Sequence, residues 1–151
     1  MVLDDDGAQA CEKILALFAG IIGRENAQLI RHVTVSFPHV SQVNGITLSA
    51  SWMTEPPTIL ELLASEYGHL ETIETELGGA SEIKGPGIDD PRMMDLLVRQ
   101  IDGKARSSMP SLKNIIVNVY EYPSPYARLY VSDALLQAMT DRGWKLVICP
   151  W

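Results

Sequence analysis

Residues 56–79, PPTILELLASEYGHLETIETELGG, decide the fold, because they connect two N-terminal strands to the rest of the chain. Two prolines open the stretch and two glycines close it, which is typical of the start and the end of a helix. Its apolar residues recur at helical spacing, at Ile59, Leu62, Leu63, Leu70, Ile73 and Leu77. We therefore predict one long helix here, with Gly68 as the point where it kinks or splits.

The segments before this helix alternate between apolar and polar residues, which predicts two strands. In residues 29–37 the apolar face consists of Leu29, Val33, Val35 and Phe37, and residues 46–52 alternate in the same way. The dipeptide Asn44-Gly45 between them is a strong turn signal, so the two strands are expected to pair as a hairpin. A first helix is expected between a cap at Asp6 and an end at Gly23.

The second half of the chain contains a helix followed by strands. The helix is predicted to begin at Asp90 and Pro91, to end at Gly103, and to face inward with Met94, Leu97, Val98 and Ile101. Strands are predicted at residues 115–122, 127–131 and 144–149, with a short helix from Asp133. The resulting order lacks the β-α-β alternation of a doubly wound fold. We expect one α+β domain over residues 1–151, with a mainly antiparallel sheet of about five strands and helices packed on one face.

The charge and cysteine content narrow the classes of partner and compartment. Nineteen acidic and twelve basic residues give a net charge of −7, which disfavours binding to nucleic acid or to an anionic membrane. The apolar run at residues 14–22 is about half the length that spans a bilayer, and acidic residues precede it. Cys11 and Cys149 lie in apolar runs without a disulfide pattern. These features predict a cytoplasmic protein.

Sequence motifs for catalysis, cofactor binding or metal binding are missing. The glycines at 78, 79, 85 and 87 fit neither phosphate-binding spacing, and no serine stands in a nucleophile elbow. Glu66 and His69 have metal-ligand spacing, but the second such pair that a carboxylate metal site needs is absent. We predict no enzyme activity, no cofactor and no metal. The alternative is an enzyme or small-molecule-binding domain with a pocket between sheet and helices, near Trp52, His32 and Tyr120.

The distribution of charge is the most informative feature for a binding function. Between Arg31 and Lys84 no lysine or arginine occurs, and seven glutamates fall in this window. Five of them, from Glu61 to Glu76, form an acidic ridge on the predicted helix. The ridge has two explanations: a solvated face, or a docking surface for a basic protein. The residues predicted to bind a partner are Glu61, Glu66, Glu71, Glu74, Glu76, Asp89 and Asp90, together with Tyr122 and Tyr126 near the Pro123-Ser124-Pro125 turn.

The last quarter of the chain resembles a known family. The residues that carry the resemblance are Leu129-Tyr130-Val131-Ser132, Leu135-Leu136, Gly143 and Leu146-Val147-Ile148, which look like the strand-helix-strand ending of bacterial DUF4279-type domains. Some of those domains are encoded among toxin-immunity cassettes, so the resemblance implies an immunity protein that binds and neutralises a cognate toxin. It assigns no functional residue, and self-association remains open alongside a basic protein partner.

Overall fold

A computed structural model describes residues 8–37, 40–43, 47–50, 58–77, 90–121 and 133–150. Its helices are α1 (Ala8–Ile22), α2 (Arg24–Ala27), α3 (Ile59–Glu66), α4 (Pro91–Ser108) and α5 (Asp133–Asp141). Its strands are β1 (His32–Ser36), β2 (Val40–Val43), β3 (Thr47–Ala50), β4 (Thr72–Leu77), β5 (Asn114–Glu121) and β6 (Lys145–Pro150).

The main sheet is parallel, and the predicted antiparallel sheet of about five strands is wrong. Strands β1, β4, β5 and β6 lie side by side in that order, and every neighbouring pair runs parallel. A helix lies between β4 and β5 and another between β5 and β6, which is the β-α-β alternation that the sequence did not predict. The chain therefore combines helices and strands as expected, but it pairs its strands differently.

The error arises in the stretch predicted as one long helix. The helix α3 ends at Glu66, and a turn at Gly68 leads into β4 at Thr72. Ile73 and Leu77 continue the helical spacing that starts at Leu70. Both also lie on one side of the segment when it is read as a strand, with polar residues between them. Tertiary pairing on both sides of β4 selects the strand, because it gives the backbone of this segment hydrogen-bond partners in β1 and β5.

The predicted hairpin between residues 29–37 and 46–52 is wrong, although a hairpin does form nearby. Its two strands are β2 and β3, which pair antiparallel on either side of residues 44–46. Residues 32–36 instead form β1 and pair with β4. The turn dipeptide Asn44-Gly45 and the predicted strand at residues 127–131 lie outside the described residues.

The sheet order determines where the helices lie. Within this sheet, each strand lies beside the strand of the same sheet that comes next in the chain. Crossovers between parallel strands are almost always right-handed. Successive right-handed crossovers in one direction put all their helices on the same face of the sheet. The burial pattern agrees, because one face of the three strands β1, β4 and β5 is buried with the helices in a single core: Val33, Val35, Phe37, Ile73, Thr75, Leu77, Ile115, Val117 and Val119.

Local signals explain most of the helix boundaries. Asp90 caps α4 by accepting a hydrogen bond from the Arg92 amide at 2.9 Å, and Pro91 follows it, as predicted. The predicted inward residues of α4 are all buried, although the helix continues through Gly103 to Ser108. Thr58 and Glu61 form a reciprocal capping box at the start of α3. Among the described helices, none is both long enough and apolar enough to cross a membrane.

Candidate functional site

The second face of the sheet carries polar side chains and is the candidate site. Register places residues of all four strands on it, and these residues are exposed or half-buried. We call it the polar sheet face, and it consists of His32, Thr34, Thr72, Glu74, Glu76, Asn114, Ile116, Asn118, Lys145, Val147 and Cys149. The described helices pack on the opposite face.

Glu74 lies at the centre of the polar sheet face and connects three strands. Asn118 of β5 donates a hydrogen bond from Nδ2 to Glu74 Oε1 at 3.0 Å. Thr34 of β1 donates from Oγ1 to Glu74 Oε2 at 3.2 Å, and His32 Nε2 lies 3.2 Å from the same oxygen. The Glu74 side chain is 27% exposed and the His32 side chain 52% exposed. The carboxylate is thus held in one orientation at a half-buried position.

These contacts change the acidity of Glu74. The hydrogen bond from Asn118 is the largest cause that lowers the pKa of the Glu74 carboxyl, and the contacts with His32 and Thr34 lower it further. Partial burial raises the pKa but does not offset these contacts. The group is therefore ionised at neutral pH and its oxygens already accept hydrogen bonds. The contacts of Glu74 therefore favour its ionised carboxylate over the protonated acid.

The amino-terminal edge of the polar sheet face carries two weaker contacts. Asn114 Nδ2 donates to Thr72 Oγ1 at 3.4 Å, which crosses from β5 to β4. Beside it, Lys113 Nζ lies 3.2 Å from Glu71 Oε1, and both side chains are largely exposed. An exposed ion pair of this kind contributes little to stability.

The predicted acidic ridge does not exist as a helix face. Of its five helical glutamates, only Glu61 and Glu66 lie on α3. Glu71 lies in the connection to β4, and Glu74 and Glu76 are on the polar sheet face. The prediction was wrong here because it followed from the single long helix. Asp89, Tyr122 and Tyr126 lie outside the described residues, and Asp90 is the cap of α4.

Several of these carboxylates already have partners within the chain. Glu61 accepts a hydrogen bond from the Thr58 amide at 3.3 Å, Glu71 pairs with Lys113, and Asp90 accepts from the Arg92 amide. These contacts account for three of the acidic residues without any external partner. Partner binding by these residues remains a prediction, and each of them also has a structural role.

The excess negative charge is concentrated outside the described surface. Side chains whose surroundings are described include eleven acidic and ten basic residues, which is close to balance. The whole chain has nineteen acidic and twelve basic residues. Six of the seven net negative charges therefore come from other parts of the sequence, which include Asp4, Asp5 and Asp6 before α1.

The alternative pocket near Trp52, His32 and Tyr120 is not assembled by the strands. His32 shares a register row with Thr72 and Asn114 at the start of the sheet. Tyr120 is six residues further along β5, which is about 20 Å at the rise of a strand. His32 and Tyr120 therefore lie towards opposite ends of the sheet, and the pocket itself stays a prediction. Trp52 lies outside the described residues.

The sequence prediction missed the contacts that organise this face. Thr34, His32 and Asn118 were not predicted to meet Glu74, because β4 was not predicted as a strand. Reading residues 72–77 with a period of two would have placed Thr72, Glu74 and Glu76 on one side. Among the described side chains, no three His, Cys, Asp or Glu residues are grouped so that they could hold a metal ion.

Comparison with protein-family models, with curated proteins and with solved structures finds no match for this chain. Its function therefore has to be inferred from the geometry of the polar sheet face.

Proposed function

We propose that this chain is a protein-binding domain that uses the polar sheet face to bind a protein partner. The observation that carries the proposal is that, among the described residues, helices cover only one face of the parallel sheet. Parallel sheets occur almost always with both faces covered. A four-stranded surface that is polar, half-buried and held in place by cross-strand hydrogen bonds has the features of an interface that a second protein covers.

The preferred partner is a basic protein. Glu74 and Glu76 are on the polar sheet face, where Lys145 is the only lysine or arginine among the register-defined residues. The chain as a whole carries a charge of −7, which attracts basic proteins at a distance and speeds their association. Local and overall charge therefore favour the same sign of partner.

The particular function we propose is immunity, in which the domain binds and neutralises a cognate bacterial toxin. The acidic charge and the resemblance of the last quarter to DUF4279-type domains support this proposal. The ionised Glu74 carboxylate, with its oxygens occupied by donors, also favours a binding role over acid-base catalysis.

The polar sheet face can be tested with two charge reversals that differ only in position. Glu76→Lys changes an exposed residue on the face, and Glu25→Lys makes the same change on α2, outside it. Partners are first captured from the native host at low and high salt and identified by mass spectrometry. Calorimetry of the purified pair should then show binding at least about tenfold weaker for Glu76→Lys and nearly unchanged for Glu25→Lys. Equal effects of the two variants would reject the polar sheet face as the interface.

The sign of the partner's charge has its own test. Lys145→Glu adds negative charge to the same face, so it should strengthen binding of a basic partner and make the affinity more sensitive to salt. Weaker binding by Lys145→Glu would contradict a basic partner even if the interface itself is correct. Circular dichroism of each variant checks that the fold is retained.

Immunity makes a further demand on the partner. The captured protein should arrest growth when it is expressed alone, and co-expression of this chain should restore growth. Glu76→Lys should lose this protection while Glu25→Lys keeps it. A captured protein without toxicity would exclude immunity but would leave protein binding intact.

A further inference from the structure

The polar sheet face is divided into two halves of different chemistry. Among its register-defined residues, both carboxylates, Glu74 and Glu76, lie on β4. The half formed by β5 and β6 carries the apolar residues Ile116, Val147 and Cys149, which are all half-buried. The boundary between the halves runs between β4 and β5, which are the two central strands of the sheet. A partner that covers this face therefore has to present a basic flank beside an apolar flank.

The parallel pairing of the strands narrows the kind of element that can cover this face. The faces of parallel sheets are covered by helices, because parallel strands are joined by crossover connections that contain helices. In the described part of this chain, helices cover only the opposite face. A helix with its side chains is about 10 Å wide, and neighbouring strands are about 4.8 Å apart. One helix laid along the sheet therefore covers β4 and β5 together and contacts both halves.

The spacing of the two carboxylates also fits a helix. Glu74 and Glu76 are two residues apart on one strand, which is about 6.6 Å at the rise of a parallel strand. Residues four apart on a helix are separated by about 6 Å along its axis and lie on the same side. Two basic residues at positions i and i+4 of a helix along β4 therefore match both carboxylates. Lys145 lies on β6, in the register row of Ile116, and repels a basic flank placed on that side.

We propose, on the basis of the protein-binding role proposed above, that the partner occupies the polar sheet face with an amphipathic α-helix. Basic residues at positions i and i+4 of this helix lie over Glu74 and Glu76, and its apolar flank lies over Ile116 and Val147. The helix adds a layer on the second face of the sheet, which gives the complex the three-layer arrangement usual for parallel sheets. The domain thus recognises a pattern of charge and apolar area on one helix, and not net positive charge alone.

Two synthetic peptides of the same composition test this pattern. Both are capped, alanine-rich helices of about 18 residues, with leucines at positions i+1 and i+5. The matched peptide has lysines at i and i+4, whereas the control peptide has them at i and i+2, on opposite sides of the helix. Circular dichroism checks that the two peptides are equally helical. In NMR titrations of the isotope-labelled chain, the matched peptide should bind about fivefold more tightly than the control.

Variants of the chain locate the contact on the polar sheet face. Glu76→Lys should weaken binding of the matched peptide about tenfold, whereas Glu25→Lys on α2 should leave it nearly unchanged. Val147→Asn removes apolar area from the face and should weaken binding about fivefold. Ile148→Asn makes a similar change on the opposite face of the same strand and should have no effect. Circular dichroism of each variant checks that the fold is retained.

Three results would overturn the proposed helix. Equal binding of the two peptides would reject the spacing, and equal effects of Val147→Asn and Ile148→Asn would reject the location. No binding of the matched peptide up to about 1 mM would reject a helix as the occupant, as expected if another segment of this chain covers the face. Protein binding by the polar sheet face would survive each of these results if the captured partner still distinguishes Glu76→Lys from Glu25→Lys.

Discussion

Replacing Glu74 by Gln tests whether this carboxylate holds the polar sheet face together. The Glu74 oxygens accept from Asn118, Thr34 and His32. A glutamine keeps the Asn118 hydrogen bond only with its oxygen on that side, and its NH₂ group must then donate to the Thr34 hydroxyl and the His32 ring nitrogen. Because the side chain is only 27% exposed, water does not make up for the loss of the charge-assisted hydrogen bonds to the carboxylate. We expect a loss of about 1–2 kcal/mol in the free energy of unfolding at neutral pH.

Urea unfolding followed by circular dichroism at 222 nm measures this loss. The matched control is Glu71→Gln, which removes the carboxylate of an ion pair whose side chains are 41% and 70% exposed. Because exposed pairs contribute little, the control should change the free energy of unfolding by about 0.5 kcal/mol or less. Equal costs for Glu74→Gln and Glu71→Gln at neutral pH would refute the structural role of Glu74.

The pH dependence gives a second check on the same variant. The pKa of the Glu74 carboxyl is lowered in the folded protein from its ordinary value of 4.5. Its contribution to stability is therefore complete above that value and is lost as the pH falls through the lower folded pKa. The difference between wild type and Glu74→Gln should shrink below about pH 4.5. A difference that stays constant down to about pH 3 would contradict this origin of the stabilisation.

Three further substitutions test contacts on the helical side by urea unfolding. Tyr67→Phe removes the buried hydrogen bond that the hydroxyl donates to the Leu15 carbonyl at 2.7 Å and should cost about 1 kcal/mol; no loss would show that this contact contributes nothing. Asp102→Ala leaves the buried Trp144 N–H without its acceptor at 2.8 Å and should lower the free energy of unfolding by about 2–3 kcal/mol. The same substitution should cost less in a Trp144→Phe background, because the N–H is then absent. If the costs of the two substitutions simply add, the hydrogen bond between these side chains does not contribute. Gly143→Ala adds a Cβ to a residue with φ of 80°, where open space surrounds the new atom. Backbone strain alone should therefore cost about 1 kcal/mol in the free energy of unfolding. An unchanged urea midpoint of unfolding would refute this strain.

The sequence was sufficient to predict elements whose boundaries have local chemical signals. Helix α4 starts where Asp90 and Pro91 indicate, and α1 ends before Gly23, which has φ of 85°. The inward faces of β1 and α4 follow their hydrophobic periodicity. Each of these features is determined within a few residues of sequence, so no knowledge of distant partners was needed.

The arrangement of the sheet depends on contacts that local patterns do not encode. Ile73 and Leu77 satisfy both a helical and a strand period, and only pairing with β1 and β5 distinguishes the two. The sequence prediction missed the contacts of the candidate site for the same reason. Glu74 forms hydrogen bonds with Thr34 and Asn118, which are 40 and 44 residues away in sequence and lie on other strands. Correcting this one element changes the sheet from antiparallel to parallel and moves two glutamates from a helix to a sheet face.

The order of the strands also has a consequence for how the protein forms during synthesis. Because β1, β4, β5 and β6 occupy the sheet in the order in which they occur in the chain, each new strand finds its docking edge already made. β1, β4 and β5 can pair before β6 has been synthesised, and β6 adds only to an outer edge. Each of these pairing steps joins strands 29 to 42 residues apart in the chain, a separation at which parallel pairing is slow. Until β6 has been made, the edge of β5 stays open to pairing with other strands.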